Sequence, residues 1–340
     1  FHMTSPPPPA QSGNASAASS GVAFAARTDA KVRDRLPEAG STTAKTLMML
    51  ARIGYASRGA VYLLVGGLAL AAALPLWNAG TGNQAQGSRG AIASLTDEPW
   101  GQTMIVIIGI GLFGYALWRF LQGVMDTDAH GTDGKGLAVR AGLIVSAVSH
   151  TLLGIYALSL VFGWTFGLGN GGGGGGAGTG TGTGAGTGSA GAANGGGGGS
   201  TSLTAEIMAM PFGRWLVGLI GVAIIAAGIA QLVKAYKGGF RKWLDLSADK
   251  MRKVSPICRF GLAAKGFSFG LIGFFLIVAA WNANPSQSRG LGGALQSLRD
   301  QPYGVWLLGI TALGLLAFAV YSFIEAWARR IAVRKAVPGQ

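Results

Sequence analysis

Apolar residues in this chain fall in six long runs, and polar segments separate each run from the next. Each run has between 18 and 29 residues without a charge, and a helix needs roughly 20 apolar residues to cross a bilayer. The runs lack the alternation that is typical of barrel strands. The pattern therefore predicts an all-α membrane protein with six transmembrane helices. The runs are Gly59–Trp77, Gly101–Trp118, Ala141–Gly169, Trp215–Val233, Gly266–Asn284 and Gln301–Ile324.

The six runs group into three two-helix units that share a signature. The first helix of each unit opens with Arg-x-Gly, and a glycine follows 14 residues after the arginine. The second helix opens with Pro-aromatic-Gly. Because each unit has two helices, all units begin on the same side of the membrane. We expect a parallel, pseudo-threefold bundle with both termini in the cytoplasm. The signatures begin at Arg52, Arg140 and Arg259, and at Pro99, Pro211 and Pro302.

The predicted units are joined and flanked by segments of biased composition. A Gly-rich tract within the second unit contains no lysine, so it reads as a flexible linker and not as a phosphate-binding loop. The link before the third unit is a basic amphipathic segment on the inner leaflet, and Pro256 is expected to bound the fifth helix. The predicted segments are 1–45 (disordered), 46–126, 137–242 with the glycine tract at 169–199, 243–256 (the link), 257–330 and 331–340 (basic tail).

Three two-helix units with Arg-x-Gly, Ser-Arg-Gly and Pro-aromatic-Gly resemble a bacterial integral-membrane family. That family is known as a domain of unknown function in three tandem repeats. The resemblance covers about residues 46–330. It is weaker in the second unit, which lacks Ser-Arg-Gly and the acidic residue before Pro211. It implies a six-span plasma-membrane protein, and it supplies no activity and no functional residues.

The net charge of +14 follows the predicted topology. All but four of the 27 Lys and Arg lie on the expected cytoplasmic side or near cytoplasmic helix ends. This is the positive-inside pattern. It favours contact with anionic lipid headgroups over nucleic acid. The family resemblance implies a location in the bacterial cytoplasmic (inner) membrane. The four exceptions are Arg89, Arg214, Arg289 and Arg299.

Motifs for catalysis or metal binding are absent from the sequence. There is one cysteine, and there are three histidines, which form no His-Glu-x-x-His or related zinc motif. No nucleophile motif or pair of acids lies within the predicted spans. We therefore expect no cofactor, no metal and no enzymatic activity.

His150 is a titratable group inside a predicted span, where such groups are often functional. The equivalent residues of the other units are Tyr62 and Phe269. The position could therefore require only a ring for packing. A proton relay or a ligand contact is the alternative interpretation.

Repeat register places Lys234 and Glu325 at equivalent positions near the cytoplasmic helix ends. They could pair across the bundle axis, or each could extend to the membrane interface. The repeated arginines Arg52, Arg140 and Arg259 could anchor to anionic headgroups, or they could form a ring that holds an anion.

The outer loops of the first and third units share a motif that is either structural or part of a binding site. In the structural interpretation, Leu95 and Leu298 dip toward the membrane, Asp97 and Asp300 cap the next helix, and Pro-aromatic-Gly starts the next span. The motif residues are Ser88, Arg89, Gly90, Asp97, Pro99, Trp100, Ser288, Arg289, Gly290, Asp300, Pro302 and Tyr303.

Two hypotheses for the function follow. The first is a non-enzymatic integral-membrane protein with a structural or accessory role. It rests on small-residue packing and on the lack of catalytic motifs. The second is a transporter or channel for a small, anionic solute along the pseudo-threefold axis. It rests on the parallel triplication, His150 and the arginine triplet.

Overall fold

The computed structural model describes residues 42–74, 86–127, 131, 133–164 and 197–329. These residues form nine α-helices, and two short 3₁₀ turns lie at Arg241–Trp243 and Pro285–Gln287. The helices are α1 (Thr42–Ala73), α2 (Ser88–Ala93), α3 (Gly101–Met125), α4 (Gly134–Phe162), α5 (Gly197–Met208), α6 (Gly213–Lys237), α7 (Ala248–Trp281), α8 (Leu291–Arg299) and α9 (Gly304–Ala328).

Six of these helices are long and apolar enough to span a membrane, namely α1, α3, α4, α6, α7 and α9. The prediction of an all-α fold with six apolar helices of membrane-spanning length is therefore confirmed for the described part of the chain, and we call these six helices the spans. Helix α1 begins at one end of the bundle, and α3, α6 and α9 end there. We call this end the basic end. The opposite end, which carries α2, α5 and α8, is the loop end.

The spans pack side by side in the order α6, α7, α9, α1, α3, α4. Each interface between two different units contains the glycine that lies 14 residues after a repeated arginine. A Cβ on Gly273 would lie only 2.6 Å from the carbonyl oxygen of Gly221, so these backbones approach as closely as small-residue packing in membranes allows. The three contacts are Gly66 with Leu316, Gly154 with Gly109, and Gly273 with Gly221.

The Arg-x-Gly glycine forms the contact within a unit. A Cβ on Gly54 would lie 2.5 Å from the backbone of Tyr115, and one on Gly261 would lie 2.4 Å from that of Phe318. In the second unit, a Cβ on Gly142 would meet no described atom within 4 Å. A pseudo-threefold axis stays a prediction, because the second unit departs from the contacts of the other two.

Short helices cover the loop end. Ile92 of α2 and Leu295 of α8 are buried against the spans, and α8 contacts both α2 and α5. The second unit therefore also has a short helix at the loop end, which the sequence did not predict. The residues of the glycine tract before Gly197 lie outside the described residues.

Pro-aromatic-Gly makes the turn from each short helix into the next span. A Cβ on Gly101 would lie 1.5 Å from the carbonyl oxygen of Leu95, and the equivalent distances at Gly213 and Gly304 are both 1.9 Å. Only glycine lets the preceding helix end this close to the new one. The glycine is the part of the motif that fixes the turn.

The link between α6 and α7 differs from its prediction. Phe240 and Leu244 are buried against the rest of the protein, and Leu244 forms a β-bridge with Arg329. Helix α7 begins at Ala248 and continues through Pro256. The expectation that Pro256 bounds the helix is wrong, because the helix accommodates the loss of one backbone hydrogen bond.

The terminal segments are only partly described. Helix α1 begins at Thr42, so residues 42–45 are helical and do not belong to a disordered segment. The rest of the predicted disordered segment and the basic tail at 331–340 lie outside the described residues.

Candidate functional site

A buried ion pair ties α1 to α9 in the half of the bundle nearer the basic end. Arg58 Nη2 donates to Glu325 Oε2 at 2.5 Å, and the two side chains are 4% and 2% exposed. Glu325 Oε1 accepts from Tyr321 at 2.9 Å and from Arg329 Nη1 at 2.7 Å. The Ser322 hydroxyl accepts from Arg58 Nε at 3.2 Å and from Nη2 at 3.0 Å. This single carboxylate is therefore shared by two guanidinium groups.

Tyr115 of α3 joins a third cation to the pair. Its hydroxyl oxygen accepts from Arg58 Nη1 at 2.6 Å and from Arg119 Nε at 2.7 Å. Arg119 Nη1 also donates to Gln122 at 3.2 Å. Two positive groups thus share one phenol oxygen inside an apolar bundle.

Two lysines complete the group of charges. Lys265 of α7 lies over the rings of Tyr62, Phe269 and Phe318, and its ammonium is 4.4 Å from the Phe318 ring centre. Lys234 of α6 donates to the hydroxyl of Tyr321 at 3.4 Å. Cation–π contacts of this kind stabilise a cation only in part when it is removed from water.

We call these residues the cation cluster. Among the described residues, Arg119, Lys234 and Lys265 have no carboxylate at ion-pair distance. The described part of the cluster therefore contains one acid and an excess of positive charge. Its members are Arg58, Tyr115, Arg119, Lys234, Lys265, Tyr321, Ser322, Glu325 and Arg329.

Lys234 and Glu325 do not form the direct ion pair that the repeat register suggested. The two residues lie at the same end of the bundle, as the repeat register predicted, but Tyr321 bridges them. The direct ion partners of Glu325 are Arg58 and Arg329.

His150 lies beside the cluster in a packing arrangement. Its Nδ1 is 2.7 Å from the carbonyl oxygen of Ser146 in the same helix. Its ring meets Tyr115 edge-on, with ring centres 4.5 Å apart. This geometry matches the interpretation of His150 as a packing ring, and the contact with Tyr115 keeps it next to the charges.

The arginine triplet lies at the basic end and not around a central mouth. Arg140 donates to the carbonyl oxygens of Gly123 at 2.8 Å and Val124 at 2.9 Å, at the C-terminal end of α3. Arg52 and Arg259 are exposed. A cation at a helix C-terminus complements the helix dipole, so Arg140 stabilises the end of a neighbouring span.

The outer-loop motif holds the short helices in place. Arg89 lies over the Tyr156 ring at 5.3 Å, and Arg289 lies over the Phe275 ring at 5.0 Å. Burial lowers the pKa of the Arg89 guanidinium, and the Tyr156 hydroxyl opposes that shift. Ser288 is buried and donates to the Pro285 carbonyl oxygen at 2.7 Å. These contacts are internal to the bundle.

The helix-capping role that was predicted for the motif's acids is wrong. The residue that precedes α3 is Trp100 and the one that precedes α9 is Tyr303, and neither helix has a side-chain cap. Asp97 is exposed, and Asp300 directly follows α8 and accepts from Gln296 at 3.2 Å. Gly90 and Gly290 lie in or next to the short helices, and Pro99 and Pro302 precede the exposed aromatics.

A small cavity lies between the cation cluster and α2. It has room for about one water molecule (≈ 10 Å³), and Arg58, Tyr62, Ser88 and His150 are among its lining residues. Toward the loop end the buried side chains are mostly apolar, Ile92 among them, and the buried polar ones there include the hydroxyl residues Thr204, Ser288 and Thr311.

Most of the cluster was missed by sequence reasoning. Arg58 and Lys265 occupy the same repeat position, six residues after the repeated arginine, and Ser146 is their counterpart in the second unit. A signal was therefore present, because two of three units place a cation at the edge of an apolar run. Arg119 and Tyr321 gave no comparable signal.

Comparison with known proteins identifies the family. The family described as Domain of Unknown Function (DUF1206) matches residues 53–126, 175–238 and 260–329. Uncharacterized protein YxxB of Bacillus subtilis (strain 168) is 34% identical over 301 residues, which cover 86% of this chain and 96% of that relative. No solved structure matches the chain. The resemblance that the repeats suggested is thereby confirmed, and the chain belongs to the DUF1206 family and carries its domain three times.

Proposed function

We propose that this protein is a non-enzymatic transporter of the bacterial cytoplasmic membrane that binds an anionic group at the cation cluster. The observation that carries the proposal is the excess of positive charge: Arg119, Lys234 and Lys265 lie inside the bundle without a carboxylate partner among the described residues. An anion the size of phosphate would supply the missing negative charge.

The physical argument is the cost of unpaired charge. Moving an ion out of water costs several kcal/mol even after the protein relaxes. Arg119 and Lys234 recover part of this cost through hydrogen bonds to the hydroxyls of Tyr115 and Tyr321. A bound anion would accept charge-assisted hydrogen bonds, which are about twice as strong as neutral ones.

A structural or accessory role is the second candidate. The ion pair between Arg58 and Glu325 supports it, because this pair ties the first span to the last. That role does not account for Lys265 and Arg119, whose charges are not needed to close the pair. We therefore rank anion binding first.

The proposed orientation places both termini and the basic end in the cytoplasm. Lys234 and Lys237 lie in the last turn of α6, and Lys250, Arg252 and Lys253 lie in the first two turns of α7. Positive residues at one end of the spans favour the cytoplasmic side. A bacterial relative is consistent with this location.

A titration with inorganic phosphate tests the binding site. The purified protein in detergent should melt at a higher temperature as phosphate is added at constant ionic strength. Lys234→Met should weaken the apparent affinity by tenfold or more. Lys237→Met is the matched control, because it lies on the same helix and is exposed, and it should bind as the wild type does.

The proposal fails if neither phosphate nor sulfate stabilises the wild-type protein, or if both lysine variants lose the same affinity. Transport is tested separately with labelled phosphate in vesicles that contain the protein. Binding that depends on Lys234, without any flux, would leave a binding protein and refute the transporter.

A further inference from the structure

The second unit has an open seam between its two spans. Helix α4 packs on α3 and α6 packs on α7, whereas the close contact between spans of one unit, seen at Gly54 and Gly261, is not repeated at Gly142. Gly142 is exposed, and so is Ala227 of α6. We call the space between α4 and α6, marked by Gly142 and Ala227, the seam.

The second unit also differs from the other two in the residue at one repeat position. Counting from Pro-aromatic-Gly, Ala227 occupies the position of Tyr115 in the first unit and Phe318 in the third. The backbones of Tyr115 and Phe318 lie directly over Gly54 and Gly261. In the second unit Gly142 has no described atom within 4 Å of a Cβ, and the small side chain of Ala227 is exposed.

The seam lies beside the cation cluster. Lys234 is seven residues beyond Ala227 on α6, which places it about 10 Å nearer the basic end. Its ammonium reaches Tyr321 on the axis. Lys234, Arg119 and Lys265 are partly exposed, whereas Arg58 and Glu325 are buried. Of the three accessible cations, Lys234 lies in the last turn of α6, at the basic end.

The walls of the seam are apolar. Val145, one turn from Gly142, is exposed, and so are Ala223 and Ala230, which flank Ala227 by about one turn on either side. A site with an accessible cation at the basic end and an apolar exit toward the bilayer matches an amphiphile. A soluble anion would use only the charged part.

On the basis of the proposed anion site, we infer that its ligand is the phosphate-bearing headgroup of an anionic membrane lipid, which enters sideways through the seam. The headgroup contacts Arg119 and Lys234, and the acyl chains leave between α4 and α6. A substitution that fills the seam should therefore prevent lipid binding while every charge of the cation cluster is kept.

The experiment restores the aromatic residue that the other units carry. Ala227→Phe fills the seam, and Ala226→Phe is the matched control because the neighbouring Ala226 is exposed on the outward face of α6, between Val222 and Ile229. Retention of phosphatidylglycerol over phosphatidylcholine is measured by native mass spectrometry of protein taken from mixed vesicles. Stabilisation by inorganic phosphate is measured in parallel.

We expect Ala227→Phe to lower phosphatidylglycerol retention at least fivefold and to leave the phosphate response unchanged. Ala226→Phe should change neither quantity, and Lys234→Met should reduce both. Gly142→Leu closes the seam from the opposite helix, and it should match Ala227→Phe if that variant folds poorly.

The outcomes separate the two proposals. A wild-type protein that responds to phosphate but shows no preference for phosphatidylglycerol overturns the lipid inference alone. Full lipid retention in both seam-filling variants does the same. A protein that responds to neither phosphate nor lipid overturns the anion site itself.

Discussion

Replacement of Glu325 by Gln tests whether its carboxylate holds the bundle together. The side chain keeps its size, but the only acid paired with Arg58 and Arg329 in the described residues is lost. Removal of one partner from a buried ion pair costs about 3–5 kcal/mol, because the remaining charge stays buried without compensation. Glu325→Gln leaves Arg58 without an acid among the described residues and removes one ion partner of Arg329, so we expect a cost within this range.

Arg58→Met is the natural comparison. It removes one cation, while Glu325 keeps its contacts with Arg329 and Tyr321. We therefore expect a smaller loss of stability than for Glu325→Gln. The double variant should be more stable than the sum of the two single losses predicts, by about 0.5–3 kcal/mol, because the two residues interact directly.

Thermal unfolding in detergent, followed by the fluorescence of the nine tryptophans, measures all three variants. Phosphate should stabilise Glu325→Gln more than it stabilises the wild type, because the variant carries a larger excess of positive charge. The reasoning is refuted if Glu325→Gln unfolds at the same temperature as the wild type. It is also refuted if the stability losses of the two single variants simply add in the double variant. A phosphate effect that is smaller in the variant would also contradict it.

Two further substitutions test helix packing and His150. Gly273→Ala should destabilise the protein by about 1–3 kcal/mol, since the new methyl would lie 2.6 Å from the Gly221 carbonyl oxygen; Gly270→Ala, with no described atom within 4 Å, should be nearly neutral in the same melt. Equal effects would remove the close-packing argument. His150→Phe should change stability by less than about 1 kcal/mol, because Phe retains the edge contact with Tyr115; loss of phosphate binding in this variant would instead assign His150 to the ligand.

The fold followed from the sequence wherever hydrophobicity alone decides the structure. Apolar runs of spanning length have no stable alternative to helices in a bilayer, so the six spans were predictable. Boundaries near the membrane surface were less so. Helix α7 passes through Pro256 and starts at Ala248, because water and polar side chains near the surface can satisfy backbone groups that lipid cannot. The short helix α5 was missed because glycine and threonine precede it.

The candidate site was only partly predictable, since buried charges depend on which helix faces which. Repeat register placed Glu325 and Lys234 near one another, but the choice of Arg58 as the ion partner depends on the packing of α1 against α9. That packing crosses from the third unit to the first, at a sequence separation of 267 residues for this pair. Nothing local in either helix specifies it.

Equivalent positions in the repeat carry information that single motifs lack. The interfaces between units keep their glycines in all three copies, so the order of the spans is strongly determined. Within the first and third units, the Arg-x-Gly glycine packs against the backbone of the next span, and the second copy lacks this contact at Gly142 and has Ala227 where the others have an aromatic residue. The second unit therefore departs from the others within itself, while its contacts with the neighbouring units keep their glycines. The same copy has Ser146 where the others have a cation and supplies Lys234 at its basic end, so the unit that contains the seam also holds an accessible cation.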